Sequence, residues 1–174
     1  MKQTVSGCHN ESPGAEATQP LKRWNLRMPT TTEEFAIKLQ AWLNPLDAAP
    51  VECDGMCRLI SAVLSANDIE HEVIAGLLVD RAGASPETTH FWVELPNGYT
   101  IDYRARMWMG DEAQHGVFIR SSDRFEYVSR GEVNFNYMPN WILQAMSGID
   151  LDSYPVLDVV GAIETRHHDD SPTP

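Results

Sequence analysis

Between Leu64 and Val73 the spacing of apolar residues changes period, and that change limits the fold classes open to this chain. Before it, Met56, Leu59, Ile60, Val63 and Leu64 recur at i, i+3, i+4, i+7 and i+8, which is one face of an α-helix. After it, residues 72–79 form a short apolar run with β-branched side chains, which predicts a strand. An earlier run belongs with the helical half. Phe35, Leu39, Trp42 and Leu43 stand at helical spacing, Thr31 and Glu34 form a capping box, and Pro45 stops the run, so a helix is predicted over about 32–43. The second helix is predicted to open near Cys53 and to end at Asn67-Asp68. Downstream, residues 81–88 read as a loop, and strand-like runs at 89–95 and 99–103 flank the hairpin signal Pro96-Asn97-Gly98. Residues 117–119 and 125–128 are further strand candidates, and 141–146 and 156–164 look helical. Helices followed by a meander of strands predict an α+β fold with an antiparallel sheet.

The 174 residues carry 13 Lys and Arg against 25 Asp and Glu, a net charge of −12. That length suits a single domain able to bury a core without disulfides, expected over residues 21–165. Residues 1–20 and 166–174 hold few large apolar groups and read as disordered arms, and His167 and His168 there read as solvated rather than metal-bound. The charge argues against nucleic acid or an anionic membrane as partner. No apolar run approaches the roughly 18–20 residues of a membrane span, and the N-terminus lacks the apolar stretch of a secretory signal. Three cysteines, Cys8, Cys53 and Cys57, cannot form a disulfide framework. An odd count with no export signal predicts a reducing, cytoplasmic setting.

The chemistry concentrates between residues 53 and 102. Cys53 opens the second predicted helix, where free N–H groups and the positive end of the dipole stabilise a thiolate and can line an oxyanion hole. Cys57, one turn on, shares a face with Ile60 and Leu64 and reads as a packed thiol. His90 and Asp102 fall on the two strands of the hairpin, and the loop length decides whether they meet. A two-residue loop pairs Pro96 with Tyr99 and sends the two side chains to opposite faces. A three-residue loop pairs Leu95 with Tyr99, places Trp92 across from Asp102 and His90 across from Arg104, and makes His90 and Asp102 diagonal neighbours on one face. Pro at the first central position and Gly at the left-handed bulge position favour the second case. The expectation is therefore a His90–Asp102 hydrogen bond within a Cys53, His90, Asp102 triad.

Residues 53–102 resemble the core of the transglutaminase-like superfamily of papain-type thiol enzymes. The matches are Cys53 at a helix start, Ile69 sixteen residues later, Val73-Ile-Ala-Gly76, His90-Phe-Trp-Val-Glu94 and Thr100-Ile-Asp102. They span about fifty residues, less than a third of the chain. Where the pattern often has Gly two residues before the Cys, this chain has Val51; where it has a Gly-Ile turn, this chain has Asp68-Ile69. The resemblance implies a papain-like core, a Cys-bearing helix packed on an antiparallel sheet, and a catalytic triad of Cys53, His90 and Asp102. The family includes peptidases, amide-crosslinking transferases, deamidases and inactive scaffolds.

On this reading the protein is a cytoplasmic cysteine hydrolase or acyltransferase that attacks an amide through a Cys53 thioester. A peptidase or amidase comes first, on a protein or peptide substrate. The alternatives are a deamidase or transglutaminase acting on Gln, and a non-catalytic binding module. Trp92 and Trp108 are candidates to line the acyl site, and Arg104 to pair with a substrate carboxylate. Gln40, Trp42 and Asn44 are possible sources of a second oxyanion donor, and no motif selects among them. Cys53, Cys57 and His90 could supply three zinc ligands, but the spacing is not that of a zinc knuckle and no fourth ligand is evident, so no metal or organic cofactor is implied. His9, His71 and His115 show no partner in the sequence and read as loop or solvent-facing residues.

Overall fold

The computed structural model of the chain describes residues 32–83 and 87–157. The expected arms 1–20 and 166–174, the outer limits of the expected domain, the Thr31 cap, Cys8, His9, His167 and His168 lie outside them. Among the described residues are four α-helices: α1 (Thr32–Leu43), α2 (Cys53–Ala66), α3 (Ala105–Met109) and α4 (Asn140–Ser147). Five strands, β1 (Glu72–Asp80), β2 (Thr88–Glu94), β3 (Tyr99–Asp102), β4 (Gly116–Ile119) and β5 (Phe125–Glu132), form one antiparallel sheet in the order β4-β3-β2-β1-β5. The α+β class is as expected from the change of period. Of the helix expected over 156–164, Val156 and Leu157 are not helical and the rest lies outside the described residues. No described helix is long and apolar enough to cross a membrane.

Each face of the sheet has its own apolar cluster. Val73, Val93, Leu95, Tyr99, Ile101 and Tyr103 point to one side, where they pack on Leu39 and Leu43 of α1 and Met56, Leu59, Ile60, Val63 and Leu64 of α2. Those helical residues are the ones whose spacing announced the helices. The other side carries Ile74, Leu78, Trp92, Phe125 and Tyr127, closed by Ala105 and Met109 of α3. This second side is concave. β4 and β5 stand at opposite ends of the strand order, yet only residues 120–124 join them. Phe118 of β4 packs on Tyr127 of β5 at 6.1 Å between ring centroids, so the sheet curls until its edges approach.

Two local features prepare the site. Helix α2 ends in a left-handed residue, Asp68 at φ 54°, with Asp68 N bonding Ser65 O and Ile69 N bonding Leu64 O. That is the Schellman closure, in which glycine is the usual occupant of the left-handed position. The β2–β3 hairpin closes through three residues: Leu95 N bonds Tyr99 O at 2.9 Å, and Gly98, at φ 87°, bonds Leu95 O at 3.0 Å. The ladder continues as Glu94 opposite Thr100 and Val93 opposite Ile101, which is the register the turn residues favour. It stops there. Asp102 stays paired with Gly116 of β4 but not with β2, so the expected pairs Trp92–Asp102 and His90–Arg104 do not form, and β2 and β3 part beside His90.

Candidate active site

The start of α2 lies beside the point where β2 and β3 part, since Cys53 and Cys57 line one space with Phe91, Ile101 and Asp102. Cys53 is the first residue of α2, with Glu52 extended before it and no side chain capping the helix. Its first N–H groups are therefore the orphan donors of a helix start. Gly55 lets this end approach the incoming chain, since a Cβ there would stand 2.8 Å from Val51 Cβ. Cys53, Met56, Cys57, Phe91, Ile101 and Asp102 close round a space with no room for a water molecule.

His90 is fully buried on β2. Its Nε2–H donates to Asp102 Oδ2 at 2.7 Å, the hydrogen bond expected from the hairpin register. The other ring nitrogen, Nδ1, is buried with no hydrogen-bond partner, and Cys53 lies near enough to raise the ring's proton affinity. Burial alone would lower the His90 pKa, but the hydrogen bonds and charges of Asp102 and Cys53 outweigh it and raise the pKa to about 9. The ring thus carries a proton at neutral pH.

Asp102 is oriented by four donors. Oδ1 accepts the backbone N–H of Arg104 at 2.7 Å and of Ala105, the first residue of α3, at 3.0 Å. Oδ2 accepts His90 and the hydroxyl of Tyr127 at 2.9 Å. Cys57 is buried beside Cys53, and burial, then the nearby Asp102, Cys53 and Asp54, pushes its thiol well above its ordinary pKa. It stays protonated and inert.

The three residues expected to bind substrate are placed differently from one another. Trp92 is fully buried: its ring lies on Gly76, where a Cβ would come within 2.5 Å of it, and its Nε1–H donates to Glu94 at 2.7 Å. It backs His90 from within the core rather than lining a cleft, because the sheet's curl turns its face inward. Arg104 is also buried, and all five of its N–H groups donate inside the chain: to Val51 O, Asp47 Oδ1, Tyr103 O, Asp47 O and Ala49 O. It clamps the segment that leads to Cys53 and has no donor to spare for a substrate carboxylate. Trp108, on α3, keeps 44% of its surface exposed and is the one of the three open to solvent.

Sequence reasoning passed over Tyr127 and Asp47, and nothing local marks either as belonging to the site. His71 and His115 are not partnerless: His71 joins Ser61 Oγ and Ile69 O, both at 2.8 Å, and His115 joins Asp47 at 3.1 Å. Neither Gln40 nor Trp42 offers the site a free donor, since Gln40 is bound to Val117 N, Asn44 and Tyr103, and Trp42 donates to Pro155 O at 2.7 Å. Among the described residues no group of three or more His, Cys, Asp and Glu side chains is arranged to hold a metal ion. No protein-family model, curated protein or solved structure matches the chain.

Proposed function

We propose that this protein is a thiol-dependent acyl-transfer enzyme with a papain-like, transglutaminase-like core, acting on an amide. The observation that carries the reading is the buried His90–Asp102 hydrogen bond, with the second ring nitrogen unpartnered and Cys53 near enough to raise the His90 pKa. Asp102, pinned by two backbone N–H groups, fixes which His90 nitrogen faces the acid and which faces the thiol. Cys53 attacks the acyl carbon with its thiol proton already resting on His90, and that imidazolium supplies the proton for the leaving amine. The oxyanion develops beside the uncapped start of α2. Water or a second amine then resolves the Cys53 thioester. Free Cys53 and Cys57 suit a reducing, cytoplasmic setting. A peptide or protein amide is the substrate class. Ammonia release without chain cleavage would identify a Gln deamidase instead.

Alkylation by iodoacetamide, resolved by peptide mass spectrometry across pH 6–9, tests the reading in wild type and His90→Ala. At pH 6.5 Cys53 should react at least roughly tenfold faster than the inert Cys57 and lose that advantage without His90. Equal Cys53 rates in the two proteins would overturn the triad and leave a non-catalytic module as the better account.

A further inference from the structure

We infer that Tyr127 is a positioning residue of this site: its hydroxyl shares Asp102 Oδ2 with His90 and sets how tightly the carboxylate holds the ring. The inference rests on the acyl-transfer reading and adds to it a residue that no local pattern marks. Asp102 Oδ1 is committed to the backbone of residues 104 and 105, so Oδ2 is the oxygen that reaches His90. Two donors converge on it from two strands, Nε2–H from β2 at 2.7 Å and the Tyr127 hydroxyl from β5 at 2.9 Å.

That convergence is built by the fold. β3 and β5 are separated by β2 and β1, which in a flat sheet would hold them about 14 Å apart at roughly 4.8 Å per strand. The curl of the sheet closes this distance. The Tyr127 ring is boxed by Trp92 at 5.2 Å, Phe118 at 6.1 Å and His90 at 6.4 Å between centroids. Phenylalanine would fill that box equally well without bringing a hydroxyl out of water, so the hydroxyl is explained by its acceptor. Burial and the Asp102 charge push the Tyr127 pKa upward, so it stays a donor throughout the working range. The titratable and charged groups around His90 are Asp102 from β3, Cys53 and the protonated Cys57 from α2, and Tyr127 from β5, with Arg120 acting on Tyr127 from beyond β4.

A donor on Oδ2 withdraws charge from the atom that binds the imidazolium. Without it, Oδ2 is more basic, the His90 proton is held harder, and the ring becomes a poorer acid toward the leaving amine. The test is an NMR titration of His90 in the full chain. Tyr127→Phe should raise its midpoint by about half a unit. A 3-fluorotyrosine at position 127, a stronger donor, should lower it. Phe118→Leu, which loosens the packing but keeps the hydroxyl, should leave it in place. Midpoints that do not move, or that move alike in all three proteins, overturn the inference. Should Tyr127→Phe not fold, the fluorotyrosine protein, which keeps ring and hydroxyl, carries the same test. The two failures are distinct: unmoved midpoints remove Tyr127 while leaving the thiol reading intact, whereas Cys53 alkylation that ignores His90→Ala removes the thiol reading itself.

Discussion

Arg104, two residues after Asp102, shapes the candidate site through geometry. Its backbone N–H holds Asp102, and its guanidinium ties down carbonyls of Asp47, Ala49 and Val51, just ahead of Cys53. Arg104 thus links Asp102 to the entry of the helix that bears Cys53. Lysine can supply neither the fork nor the number of donors. Arg104→Lys should destabilise the protein by about 3 kcal/mol, because buried carbonyls lose their partners, and should slow Cys53 alkylation as well. Urea unfolding together with the alkylation assay checks both. A substrate-carboxylate role would instead leave stability unchanged.

At the scale of elements, two backbone positions govern how the site's elements meet. Asp68 closes α2 in the left-handed region at φ 54°, where a side chain is strained. Asp68→Gly should therefore stabilise the fold by about 1 kcal/mol, read as a higher urea midpoint at constant slope. Gly76 is the opposite case. A Cβ there would lie 2.2 Å from Val128 O and 2.5 Å from the Trp92 ring, and the β1–β5 register shifts at this point. Gly76→Ala should cost about 3 kcal/mol by overpacking, and it should displace Trp92 from behind His90. Near-UV circular dichroism would report the altered tryptophan, and an unchanged spectrum and midpoint would contradict the account.

For the whole molecule, the protonation of His90 couples the site to stability. Its ordinary pKa is near 6.5 and its folded value about 9, so between these values the folded state binds the extra proton. The stabilisation is fully present below about pH 6.5 and is lost as pH rises through 9, a loss of up to about 3 kcal/mol. Urea midpoints should fall across that window in wild type and fall much less in His90→Asn. Parallel curves for the two proteins would place the titration elsewhere.

What the sequence determined by itself is what short-range chemistry controls. The apolar spacing of 56–64 makes α2, and Pro96-Asn97-Gly98 selects the three-residue loop that brings His90 and Asp102 to one face. These depend on periodicity and turn geometry among residues near in the chain. The extension of β5 to Glu132 and the helix over Ala105–Met109 were not legible: the β5 residues there are mostly polar and take their state from pairing with β1, and five helical residues are too few to show a period. The tertiary structure alone decided the fate of Trp92, Arg104 and Tyr127. Residues that read as cleft-lining became a buried backing and a clamp, and a tyrosine 25 positions from Asp102 became its partner. The physical reason is the curl of the sheet and the parting of β2 from β3, which follow from strand order and from packing between residues far apart in sequence. No local pattern carries that information.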